Sequence, residues 1–347
     1  MARFNHAVTV SMVGLAALSA QHVQAQDWNR REFPLAPPNA RSNFVAPYFD
    51  GFLRNPDGTF TLSFGFMNRN EEELIEIPLG PNNFIEPREF DGRQPTSFPV
   101  VSYGGFGGPR ERGIFGVTVP ADFEGEVWWT LTTNGYTTKV PGRIHTTRQA
   151  AIGFEAAYEM SWTPQAEGSL RPAIRFAENG PETIGVEGVV APQALTTSVG
   201  RPVEVQFWAT DRGERELREV NMTLWKYQGP VGGVISFESL VEAAPVADAA
   251  AGRGAPPAGA PPAGAPPAGA AGRGRGARPV APGPVTIGQS VRLPMTGPAA
   301  NQGRFRASFD TPGEYMIRIR IDNFGGDSGP GNMCCWTNGY VRVNVTP

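Results

Sequence analysis

The chain has 347 residues, with 30 Lys and Arg against 33 Asp and Glu and a formal net charge of −3. That near balance argues against a nucleic acid or an anionic membrane surface as partner. Two cysteines and three histidines leave too few spaced ligands for a tetrahedral zinc site, and no cofactor is expected.

Taken in chain order, Arg3 and His6 precede an apolar run at residues 7–20, and Val23-Gln24-Ala25 places small residues at −3 and −1. This reads as a secretory signal over residues 1–25, cleaved before Gln26. The run is shorter than the roughly 18 apolar residues of a membrane helix, and no later segment reaches that length. The expected mature protein is therefore soluble, periplasmic or secreted, without membrane insertion. No cysteine lies near the cleavage site, and Arg30-Arg31 follow the apolar core, so neither a lipoprotein anchor nor a twin-arginine signal is expected. Cleavage leaves His145 as the only histidine.

An irregular lead covers 26–42, and a first β-sandwich is predicted over 43–145. Phe60, Leu62, Phe64 and Phe66 alternate with Thr59, Thr61, Ser63 and Gly65 behind an Asn55-Pro56-Asp57-Gly58 turn. Further strands are predicted at 73–79, 113–119 and 126–133. Asn134-Gly135, both tolerant of positive φ, then turns the chain into a strand at 136–140. Residues 146–187 have weak periodicity and read as a connector.

A second sandwich is predicted over 188–347, with strands at 203–209, 220–227 and 234–240 before a change of composition. Residues 245–284 are Ala, Pro, Gly and Arg with three tandem Ala-Pro-Pro-Ala-Gly copies, a tract too poor in apolar surface to offset its ordering entropy. Four strands follow, at 285–293, 303–309, 314–322 and 339–345. Four alone would leave a sheet face bare, so they belong with the three before the tract. The tract is then a long disordered loop inside one domain, tolerable because closure entropy grows only with the logarithm of length. The fold class is all-β: two antiparallel β-sandwich domains, the second interrupted by this loop.

Asp310-Thr311-Pro312-Gly313-Glu314-Tyr315-Met316-Ile317-Arg318-Ile319 resembles the penultimate strand of immunoglobulin-like and PKD-like domains, including their tyrosine-corner position. Leu195-Thr196-Thr197-Ser198-Val199-Gly200-Arg201-Pro202-Val203 resembles an early strand of the same fold. The block from Phe66 to Asn83 resembles one that recurs in uncharacterised exported bacterial proteins. These resemblances imply an immunoglobulin-like second domain and carry no activity with them.

Cys334 and Cys335 are adjacent, and neighbouring Cα atoms sit about 3.8 Å apart, closer than in ordinary disulfides. In an oxidising compartment the pair reads as a strained vicinal disulfide that stiffens its loop under Trp336, as a ligand-contacting or redox-active ring, or as free or intermolecular thiols. Gly326-Asp327-Ser328-Gly329-Pro330 echoes the segment around a protease nucleophile. His145 lies in the other domain, so a Gly-rich turn explains the match better. Asn68, Asn70, Glu71, Glu72, Glu73, Asn82, Asn83 and Glu86 gather oxygens near one hairpin but lack the calcium-loop spacing, so a solvated face is the better reading. Trp128 and Trp129 point to opposite sides of one strand, one into the core and the other available for sugar or protein contact.

The expected function is an exported, non-enzymatic binding, adhesion or scaffold protein of the cell envelope, with an envelope protein or glycan as partner. The alternative is a polymer-acting extracytoplasmic enzyme or an accessory module such as a carbohydrate-binding one. Loops at sandwich ends commonly carry recognition, so the ligand-binding candidates are Asp327, Trp336 and Asn338, with Trp129 from the first domain.

Overall fold

A computed structural model describes residues 44–70, 73–100, 110–144, 159–160, 170–212, 220–241, 283–285, 290–294, 297, 299–323 and 336–347. The described residues all belong to one compact unit. Its first half contains β1 (Val45–Arg54), β2 (Phe60–Asn68), β3 (Ile75–Glu76), β4 (Asn83–Glu86), β5 (Ser97–Phe98), β6 (Arg110–Val119), β7 (Val127–Thr133) and β8 (Tyr136–Gly142). Sheets ordered β1-β2-β6 and β4-β7-β8, with the short pair β3-β5, enclose an aromatic core of Phe64, Phe66, Phe98, Phe115 and Trp129. Phe64 stacks on Phe115 at 5.1 Å, and Trp129 meets Phe115 edge-on at 5.0 Å. The two predicted turns form: Gly58 donates to Asn55 O (3.0 Å), while Asn134 and Gly135 take φ of 50° and 79°. The periodicity missed β1, whose alternation is broken by a bulge at Asp50, and it missed the short β4 and β5. The expected strand over 73–79 shrinks to the two residues of β3.

The second half contains β9 (Ala173–Arg175), β10 (Val189–Val190), β11 (Leu195–Ser198), β12 (Val203–Thr210), β13 (Asn221–Gln228) and β14 (Ile235–Ser239). There follow β15 (Gly283–Val285), β16 (Ser290–Arg292), β17 (Gln302–Phe309), β18 (Gly313–Asp322) and β19 (Trp336–Thr346). One sheet runs β15-β14-β17-β12-β9. The other runs β10-β19-β18-β13-β16, with β11 also lying parallel to β19. Strands from both sides of the Ala/Pro/Gly tract pair within each sheet: β17 pairs with β12 and β14, and β18 pairs with β13. Their inward rows, Val205 and Phe207, Ile235 and Phe237, Ile317 to Ile321, and Val341 to Val345, form one apolar core. Tyr315 Oη donates to Thr311 O at 2.9 Å, the bond a tyrosine corner makes.

Two segments depart from the expected layout. The connector supplies β9, which extends the β12 edge through Trp208–Arg175 to Thr210–Ala173. The strand expected over 285–293 is two strands in opposite sheets, because β15 pairs with β14 and β16 with β13. Most of the tract, residues 245–282, lies outside the described residues, as do residues 1–43. No helix among the described residues is long and apolar enough to cross a membrane.

Candidate functional site

The two sandwiches meet along a seam whose centre is a pair of bulges on either side of β2. On one side, Phe49 pairs with Phe64 and Gly51 with Ser63, leaving Asp50 unpaired. On the other, Phe64 pairs with Phe115 and Phe66 with Glu111, so residues 112–114 face Gly65 alone. Bulges free backbone groups and re-aim them. Gly113, at φ +54°, is the re-aimed residue. Its N–H donates to Asp50 Oδ2 (2.8 Å), which also accepts from Ser63 Oγ at 3.3 Å. Its carbonyl faces the second sandwich and accepts from Asn338 Nδ2 (2.9 Å), Arg318 Nη2 (3.1 Å) and Trp336 Nε1 (3.3 Å). A Cβ at Gly113 would run into the Trp336 indole, so only glycine fits both the conformation and the contact.

The donors come from one side of β18 and β19, the row that alternates with the apolar core. Asn338 reaches Val186 O as well (2.7 Å), and its Oδ1 accepts from Arg318 Nε at 3.0 Å. Arg318 and Arg320 lie over the Trp225 ring at 4.6 and 4.9 Å and turn their guanidinium groups to Glu111, at 3.5 and 2.8 Å. Tyr340 Oη donates to Ile114 O (3.0 Å) and Tyr227 Oη to Arg93 O, with the two rings 4.9 Å apart. Beyond them Gln228 Nε2 reaches Gly92 O and Gln94 O, and the Tyr227 carbonyl accepts from Thr96 N. Lys226 closes the seam, its ammonium held by Glu76, Pro230 O and Gly233 O.

Burial tunes the ionisable groups here. Desolvation pushes the Asp50 carboxyl up to about 7, against the opposing pull of the Gly113 N–H, although the residue as a whole keeps partial exposure. It also pushes Tyr340 up to about 12 and Tyr227 well above the ordinary phenol, and draws Arg171 down to about 10. Arg171 donates to Trp336 O at 3.2 Å and lies over the same indole.

The sequence candidates are placed differently from expectation. Trp336 and Asn338 are buried at 4% and 0% exposure, in the seam and not on an exposed loop. The reason is hydrogen-bonding capacity: an indole N–H and a carboxamide match carbonyls that a bulge has left unpaired. Trp129 is the core member of its pair, fully buried, with Nε1 donating to Asn83 Oδ1 (3.1 Å). Trp128 is the outward one, bonded to Glu126 and lying beside Lys139. Asp327, Cys334, Cys335 and His145 lie outside the described residues. Asn68 and Asn83, proposed oxygen donors, are buried pegs in separate places: Asn68 ties Phe98 O, and Asn83 ties Ile77 O and Pro95 O.

The seam holds an open cleft of about 320 Å³, walled by Phe115 and Gly116 on one side and by Met316, Tyr340 and Arg342 on the other. Arg93, Glu187 and Val190 complete its rim. Sequence reasoning missed Gly113, Arg318, Tyr340 and this rim. The signal for Tyr340 and Arg318 was their place in the polar row, whereas nothing local marks Gly113. Comparison of the chain with protein-family models and with curated proteins finds no match to either.

Proposed function

We propose that the protein is an exported, non-enzymatic scaffold of the cell envelope that presents its two sandwiches as one stiff body to an envelope protein or glycan. The observation behind this reading is the Gly113 carbonyl, which takes three side-chain donors from residues more than 200 positions away in sequence. An interface made of buried, partnered polar groups fixes one geometry, since any shift leaves desolvated groups unpaired. Ordinary domain pairs in one chain carry more mobile contacts. Export rests on the signal-like residues 1–25.

The alternative, an enzyme acting on an extracytoplasmic polymer, has one feature in its favour. Asp50 holds its proton near neutrality, as a general acid must. The test is retention of the mature protein on immobilised envelope proteins and glycans, run beside a polysaccharide-turnover screen. Saturable retention without turnover is the expected result. Turnover abolished by Asp50→Asn would overturn the scaffold reading.

A further inference from the structure

We infer that the cleft between the sandwiches binds a small monocarboxylate with an apolar body, its acid group paired with Arg342. This goes beyond the scaffold reading, which concerns macromolecular partners and holds or fails without it.

Charge accounting comes first. Of the two guanidinium groups lining the cleft, Arg93 is neutralised by Glu187 at 2.8 Å. Glu187 is held further by the Thr118 hydroxyl, so it is anchored and not free to swing to another cation. Arg342 is exposed and has no carboxylate within 4 Å among the described residues. Glu314, its diagonal neighbour across β18 and β19, makes no such pair with it. Among the described residues, the cleft therefore carries one cation without a counter-charge. A guanidinium fork matches a carboxylate with two parallel hydrogen bonds. With the Arg93–Glu187 pair neutral, a single negative charge balances Arg342.

The apolar half of the argument comes from the walls. Met316 pairs with Arg342 across β18 and β19 and lies on the same face, partly exposed. Val190, on β10 beside Tyr340, is 37% exposed, whereas Phe115 at the back of the cleft is buried. Wetted apolar surface beside an uncompensated cation is the composition of a small-molecule site, and about 320 Å³ lies at the lower end of the sizes such sites have. Behind them the Tyr227 and Tyr340 hydroxyls are committed to backbone carbonyls, so the rear wall is fixed before any ligand arrives.

The experiment uses 2-naphthoate as probe and the full mature chain, labelled with 13C at the methionine methyls. Binding is read by calorimetry and by the Met316 methyl resonance, assigned with Met316→Leu. The expected result is saturable one-to-one binding, an upfield shift of that methyl, and at least tenfold weaker binding to Arg342→Gln. The neutral isostere 2-naphthamide should bind the native protein at least tenfold more weakly, and glucuronate, which lacks the apolar body, should not compete. Arg342 is a surface residue, so its variant keeps the fold, checked by an unchanged methyl spectrum without probe. Absence of saturable binding, equal affinity for Arg342→Gln or the amide, competition by glucuronate, or an unmoved Met316 methyl would each overturn the inference.

Discussion

The second sandwich has two outer faces written in the same alternating pattern, and they meet different fates. On the β12-β17-β14 face, Glu204, Gln206, Ser236, Glu238 and Arg306 stand in water. Glu204 reaches Arg304, and Arg306 lies between Glu204 at 4.0 Å and Glu238 at 3.6 Å, all about half exposed. On the β13-β18-β19 face, Trp225, Arg318, Asn338 and Tyr340 are all buried under the first sandwich. Alternation identifies the core row of each strand. It does not say that the opposite row faces solvent. The solvated face carries Glu, Gln, Ser and Arg, whose ion pairs are screened and worth little. The covered face carries Trp, Tyr and Asn with Arg, side chains that combine contact area with donors able to reach a neighbouring backbone.

The contrast is open to direct attack. The largest effect is expected at the buried Lys226–Glu76 pair, where Lys226→Met strands a carboxylate under the seam. Loss of about 3–5 kcal/mol in urea unfolding is expected, with much of it recovered by adding Glu76→Leu, since paired removal leaves no orphan charge.

Next is Asp50→Asn. The folded-state pKa of Asp50 lies above its unfolded value, so the fold favours the protonated carboxyl. Its contribution is fully present below about pH 4, is lost as pH rises toward 7, and is constant above that. The asparagine variant should match the native protein near pH 4 and exceed it at pH 8, by on the order of 2–4 kcal/mol. An equal urea midpoint at pH 8 would show that the socket around Gly113 does not strain this carboxyl.

Asn338→Ala removes donors to Gly113 and Val186 and the acceptor for Arg318, without touching the apolar core. A cost of about 2–3 kcal/mol is expected. Small-angle scattering should show a wider spread of inter-sandwich arrangements than in the native protein. The smallest effect belongs to the solvated face: Glu204→Ala should change stability by no more than about 0.5 kcal/mol, fading further with salt. A Glu204 effect as large as that of Asn338 would erase the distinction between the faces.

Much of the fold was legible because it depends on local rules. The Asn134-Gly135 turn and the Phe60 to Phe66 row follow from φ preferences and period-two alternation, and the Tyr315 corner was marked by the resemblance to immunoglobulin-like strands. So does membership of the strands flanking the Ala/Pro/Gly tract in one sandwich, because seven strands cover two faces and four do not. β1 was illegible because its bulge interrupts the alternation at Asp50. The candidate site was read less well. Trp336 and Asn338 stood out by residue type, but their role required knowing what lay above them.

The sequence by itself therefore determined the β class, the two cores and the turns that close the hairpins, since each is set by residues within a few positions of one another. Only the tertiary structure decided which polar row is buried, where the cleft opens and why Gly113 matters. Those depend on a carbonyl freed by a bulge in one sandwich meeting donors more than 200 residues later, and desolvation of a polar group is set by the surface that covers it.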